Sequence, residues 1–286
     1  PSSVLMTAVT ARRAGVEQVW VASPRPAQTT LAAAAIAGAD ALIALGGAHA
    51  IAALAYGVAP VPPCDVVCGP GNRWVTAAKQ LVSGDVRIDM LAGPSELLVI
   101  ADSTADPAVV AADLLAQAEH DPDAVPMLVT TYPPLVDAVE TELAFQLADL
   151  PTAATATAAL ENGWVTVVAS IDDAIALSNR VAPEHLQVLT AHAPEVARRC
   201  IAYGAVFVGA QSAEVLGDYG AGPNHTLPTG GTARFVGGLS VFDFLAIRTW
   251  LALDAPDALA RDATALARLE GLEGHARAAE LRVAPR

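Results

Sequence analysis

The sequence predicts an α/β protein in which parallel β-sheets are covered by helices and followed by a small helical tail. Three observations predict it. Short apolar runs rich in Val, Ile and Leu recur as far as residue 209 and lack the alternation of a half-exposed strand, so they read as strands buried on both faces. Ala-rich stretches of crossover length separate many of them, which is the rhythm of βαβ units. Past Ser240 the strand-like runs stop.

Taken in order, the strands are expected at residues 16–22, 41–45, 66–68, 96–101, 126–130, 164–169, 186–189 and 205–209. Helix starts are read from caps. Asp106-Pro107 sets an acceptor ahead of proline at the first helical position, predicting a helix over 108–117, and Ser170 does similar work for 171–181. After Ser240 come residues 241–251, a break at Pro256, and a helical tail over 258–283 interrupted at Gly271 and Gly274. A boundary at 89–94, where the chain leaves one sheet for another, divides the chain into 1–93, 94–240 and a helical 241–286 suited to holding a second subunit.

The totals exclude several classes. Hydrophobic residues make up 53% of the 286 residues, but the most apolar window, 31–61, is broken by Asp40, Gly46, Gly47, His49 and Gly57. No uninterrupted run of about 18 apolar residues exists, so no transmembrane helix is expected. No basic segment followed by an apolar stretch opens the chain, so no signal peptide is expected. A net charge of −14 without a basic stripe argues against a nucleic-acid partner. Three cysteines, Cys64, Cys68 and Cys200, an odd count without CxxC spacing, fit free buried thiols in a reducing, cytoplasmic compartment.

Proton-carrying and metal-binding side chains are scarce and concentrated, the one-dimensional signature of a catalytic site. Most of the six histidines sit in polar islands. Gln117 and His120, three apart, share a face at the end of the 108–117 helix, and Gln117 lies beside the Val110/Leu114 stripe, so it points inward and needs a partner. A metal ion would satisfy both; the alternative is a solvated helix end. Asp218 and His225 flank a Gly/Pro-rich loop over 217–231, long enough to be functional or an ordinary surface loop. Ser95, ahead of a strand, is a ligand or a turn residue. Glu184 and His185, at a strand's mouth after Pro183, supply two proton-transfer groups for two successive steps, or are satisfied surface residues. Glu270 and His275 lie in the tail, either functional or on a solvated helix; His192 matches no island and is expected to be exposed. The turns Gly46-Gly47-Ala48-His49 and Gly69-Pro70-Gly71-Asn72 open helices and expose N–H groups to an anion or dinucleotide, though neither is GxGxxG and glycine at such turns also has steric reasons.

Taken together, these islands resemble the histidinol dehydrogenase family over essentially the whole chain, at residues 46–55, 69–79, 84–102, 111–121, 182–186, 217–234 and 270–275. The resemblance implies two Rossmann-like parallel-sheet domains (1–93 on the cofactor side, 94–240 with most metal and catalytic residues) and a dimerisation tail. It implies oxidation of L-histidinol to L-histidine with two NAD and one Zn2+ or similar divalent ion per subunit. Gln117, His120, Asp218 and His275 match the metal ligands, His275 serving the neighbouring subunit of a homodimer. His185 matches the general base, Glu184 the group that activates water, and Ser95, His225 and Glu270 substrate contacts alongside the ligand set. Asn72 matches a cofactor contact.

There are two departures. The family usually has Gln where His49 stands, a cofactor contact whose geometry and pH dependence histidine changes. Family members also extend further at the N-terminus, where a tyrosine meets NAD. The chain, beginning at Pro1, is therefore expected to be a fragment or a shortened relative with its first Rossmann-like domain incomplete. Other readings are a paralogue oxidising another small amino or sulfonated alcohol, disfavoured by the presence of His225, Glu270 and His275, and a non-catalytic, metal-stabilised dimeric fragment.

Overall fold

The computed structural model describes residues 1–283, in two compact units that meet in sequence between Leu245 and Ala246. The first unit opens with α1 (Ser2–Arg13), β1 (Trp20–Ala22), α2 (Gln28–Ile36), β2 (Ala41–Ile43), α3 (Gly47–Tyr56), β3 (Val66–Val67), α4 (Arg73–Val82) and β4 (Arg87–Ile88). β1 pairs with β2 and β3 with β4, both parallel. Ile51, Leu54, Val67 and Val82, with Trp20, Ile43 and Ile88 against them, gather both ladders and α3 and α4 around one core.

The expected first strand is shorter than its apolar run. Arg12 takes the carbonyls of Val16 and Glu17 (2.8 and 2.7 Å), and the Val19 N–H is held by the Asp40 carboxylate (2.7 Å). Those tertiary bonds occupy the backbone that a strand would have used. β4 was not legible, because a two-residue ladder leaves no periodicity to read.

The chain continues through β5 (Glu96–Ala101), α5 (Pro107–Ala118), β6 (Val125–Thr130), α6 (Pro134–Leu147), α7 (Ala153–Leu160), β7 (Trp164–Val167), α8 (Ile171–Val181), β8 (His185–Leu189), α9 (Ala193–Arg199) and β9 (Ala205–Val208). The five strands form one parallel sheet in the order β7-β6-β5-β8-β9. Alternate residues of β5 face opposite cores. Leu97 and Val99 pack with Val110, Ala111 and Leu114 of α5, while Leu98 and Ile100 pack with Ile175 of α8 and Val196 of α9. Residues 97–101 are fully buried, which is why they read as a continuous apolar run. Truncating one of the β5 leucines to Ala costs about 2–5 kcal/mol. Asp106 caps α5 and Ser170 caps α8, as the sequence predicts.

Beyond β9, α10 (Val215–Asp218) forms the start of the 217–231 segment, which is therefore not loop throughout, and 3-10 turns follow at Thr232–Arg234 and Val241–Phe244. The second unit is a helical hairpin of α11 (Asp257–Leu269) and α12 (Glu273–Glu280), closed on Ala260, Thr264 and Ala276. The break is at Gly271, whose φ of +75° suits glycine; Gly274, expected to interrupt the tail, lies inside the first turn of α12. Cys64, Cys68 and Cys200 are free thiols; Cys200 is buried and the other two half-buried. No described helix is long and apolar enough to cross a membrane.

Candidate active site

The polar islands converge at the N-terminal edge of the five-stranded sheet. Ser95 and Glu96 open β5, Glu184 and His185 open the adjacent β8, and the register sets His185 beside Leu97. α5 brings Gln117 to the same edge. Gln117 is fully buried, its Oε1 3.2 Å from His185 Nδ1 and its Nε2 without a protein partner. Open parallel sheets usually bind ligands at the opposite, C-terminal edge, where strand order reverses. Here strand order reverses at β5, and at its C-terminal end Asp102 accepts from the N–H groups of Thr104 and Ala191 (both 2.9 Å) and from the Thr104 hydroxyl. That edge carries a carboxylate bound to its own backbone, and the titratable cluster lies across the sheet from it.

His185 is the centre. Its Nδ1 meets the Glu96 carbonyl at 3.0 Å and Gln117 Oε1 at 3.2 Å. Both are acceptors, so Nδ1 carries the proton and Nε2 presents its lone pair to the cluster. Nε2 lies 2.8 Å from His225 Nε2, with the two rings stacked at 4.7 Å, and Glu214 Oε1 lies 3.0 Å from the same His225 nitrogen. Burial pulls His185 down to about 4, so it stays a neutral base. For His225 burial also pulls downward, but the Glu214 hydrogen bond and the nearby carboxylates outweigh it and hold its pKa above the ordinary value. Glu214 is held low despite burial, chiefly through its bond to His225.

Glu184 accepts from the Ser95 hydroxyl (2.6 Å) and the Glu96 N–H (3.0 Å). Burial nonetheless pushes it up to about 7, where a carboxyl exchanges protons near neutrality. Asp218 lies 3.9 Å from His225 Nε2 and 4.0 Å from His120 Nε2. A cleft lined by Gly69, Gly71, Asp89, Ser95, Glu184, Asp218 and His225 runs from this cluster to the second glycine turn.

Seven expected residues, Ser95, Gln117, His120, Glu184, His185, Asp218 and His225, thus lie in one hydrogen-bonded and charged neighbourhood. Asn72 caps α4, its Oδ1 accepting from the N–H groups of Trp74 and Val75. His49 is exposed on the first turn of α3. Glu270 and His275 are exposed on the second unit. His192 is exposed, as expected. Glu214 was missed. It sits 1% exposed between His185 and His225, yet in sequence it stands alone between Ala213 and Val215 and reads as a surface helix residue.

The donors suit a divalent metal. Ligand atoms of His120, Glu214 and Asp218 lie within 4.8 Å of one another, as do those of His185, Glu214 and His225. The histidinol dehydrogenase family model matches residues 1–283. The chain belongs to the histidinol dehydrogenase family. A histidinol dehydrogenase of Thermus thermophilus is 52% identical over 98% of the chain and 69% of its own length. That of Lactiplantibacillus plantarum is 50% identical over 99% of the chain and 68% of its own length. The crystal structure of histidinol dehydrogenase from Elizabethkingia anophelis matches with a TM-score of 0.93 at 37% identity, over 98% of the chain and 67% of that structure.

Proposed function

We propose that this member of the histidinol dehydrogenase family oxidises L-histidinol through L-histidinal to L-histidine, as an NAD-dependent, zinc-binding cytoplasmic homodimer. The observation that carries the reading is His185, a buried imidazole whose Nδ1 is fixed as donor by Glu96 and Gln117 and whose Nε2 turns its lone pair to His225 inside the cluster. When bound, a metal on Gln117, His120, Asp218 and the partner subunit's His275 would grip nitrogens of the substrate and orient it, and NAD would accept the hydride.

The chain's own residues divide the remaining work. His185 Nε2 takes the alcohol proton as hydride leaves the carbinol carbon. His225, hydrogen-bonded to Glu214, stands beside that nitrogen and helps place the substrate's imidazole. Glu184, anchored by Ser95 and lining the cleft, removes a proton from the water that adds to the aldehyde before the second hydride leaves. Asn72 and His49 serve the dinucleotide, and Glu270 the substrate.

The half-reactions test this division. Glu184→Gln is expected to slow oxidation of histidinal more than oxidation of histidinol, and His185→Asn to damage the alcohol step as well. Equal losses in both half-reactions for Glu184→Gln would remove its assigned role.

A further inference from the structure

A buried ion pair outside the catalytic cluster grips the cofactor-side turn. Lys79, on the inner face of α4, is 2% exposed, and its ammonium is paired with the Asp89 carboxylate, whose side chain is 1% exposed. Both partners also bind the same glycine. Lys79 Nζ donates to the Gly69 carbonyl at 3.1 Å, and the Gly69 N–H donates to Asp89 Oδ2 at 2.8 Å. Gly69 has a φ of +112°, in the region that favours glycine, and starts the Gly69-Pro70-Gly71-Asn72 turn into α4.

Asp89 and Gly69 line the cleft with Ser95, Glu184 and His225. Asp89 also begins the segment that leads to Ser95, and that segment is tied to α4 a second time by Thr76 Oγ1 donating to the Ala92 carbonyl at 2.8 Å. A lysine and an aspartate this deeply buried are costly unless paired, and hydrophobic residues of similar volume would fill the same space at no such cost. Here the charges fix both polar groups of one peptide residue at the mouth of the cleft.

We propose that Lys79 and Asp89 are positioning residues for the dinucleotide, acting through Gly69 to hold the turn in register with the substrate side of the cleft. This rests on the reading of that turn as the cofactor side. The pair touches no reacting atom, so its removal changes dinucleotide binding selectively.

The test compares Lys79→Met with the double variant Lys79→Met/Asp89→Leu in the full chain. The single variant leaves a buried carboxylate unpaired and is expected to lose thermal stability; the double variant regains it. The double variant is nonetheless expected to keep a KM for NAD raised on the order of tenfold or more, with the KM for histidinol and the zinc content unchanged. Should the double variant not fold, Asp89→Asn, equal in shape with a neutral head, gives the same split between the two KM values. A double variant with wild-type KM for NAD, or one in which both KM values rise together, overturns the proposal and leaves the pair as filler. If Asn72→Ala and both pair variants all leave the KM for NAD at the wild-type value, the cofactor reading of the turn has failed, and the pair's role with it.

Discussion

Asp113 shows what the candidate site costs the fold. It lies one helical turn before Gln117 on α5, is 7% exposed, and its Oδ2 has no protein partner. Burial, helped by the charge of Glu214, pushes its carboxyl from 3.8 to about 6. A carboxyl raised in the folded state holds its proton longer there than in the unfolded chain. Its contribution to stability is therefore most favourable below about pH 4, falls as pH rises towards 6, and stays lower above it. Asp113→Asn removes that fall, and the metal-free variant is expected to exceed the wild type by on the order of 1–3 kcal/mol at pH 8. Chemical denaturation at pH 3.5 and pH 8 checks it: the advantage should vanish at the acid end. Glu184 gives the matching kinetic expectation. Only its carboxylate form can take a proton from water, so the aldehyde step should accelerate as pH rises through about 7. Glu184→Gln should flatten that profile, and an unchanged inflection in the variant would place the titrating group elsewhere.

At the scale of elements, the site depends on close approach as much as on charge. Gly217, in α10, is buried against His225; a Cβ built there lies 2.6 Å from His225 Nδ1 and 3.0 Å from the Phe207 ring. Gly217→Ala is therefore expected to displace His225 from its stack on His185 and to lower kcat/KM by about a hundredfold, leaving the sheet intact. Gly237→Ala, where a Cβ would meet nothing within 4 Å, is the matched control. Steady-state kinetics with thermal melts on both variants separate displacement from unfolding. Elements of this kind also mark the limit of what the sequence makes legible. Glu96–Ala101 and Ile171–Val181 are readable to the residue, because a buried strand is a run of apolar side chains and a Ser cap is a local signal. Ser95, Gln117, Glu184 and His225 stand out as polar residues in apolar or Gly/Pro-rich surroundings. Glu214, Lys79 and Asp89 do not, since their partners are brought to them only by the fold: Glu214 meets His185 across β9, and Lys79 meets Asp89 across a turn and β4. A buried charge carries no mark in one dimension until its neighbours are known.

At the scale of the whole molecule, the second unit raises the question of assembly. It presents Leu266 at 60%, Leu269 at 84% and Leu281 at 85% exposure, while Ala246–Arg286 closes its own small core on alanine and threonine. Large apolar side chains that form a contiguous exposed patch mark an interaction site. Glu270 and His275 stand on the same hairpin, far in sequence from Gln117, His120 and Asp218. If the hairpin packs on a second copy, one surface both covers the leucines and delivers a histidine to the partner's metal, so assembly and catalysis fail together. Subunit exchange tests this. Subunits carrying His120→Ala lack a ligand of their own cluster; subunits carrying His275→Ala cannot complete the partner's. Each homodimer is expected to be inactive and poor in zinc. In a heterodimer with ligation in trans, one of the two sites receives both mutations and the other receives none, so zinc and activity return in half of the sites. With ligation in cis every site keeps one lesion. Mixing the two variants, with heterodimers verified by mass, decides between them, and heterodimers that form without recovering zinc or activity would show that His275 serves its own chain or none.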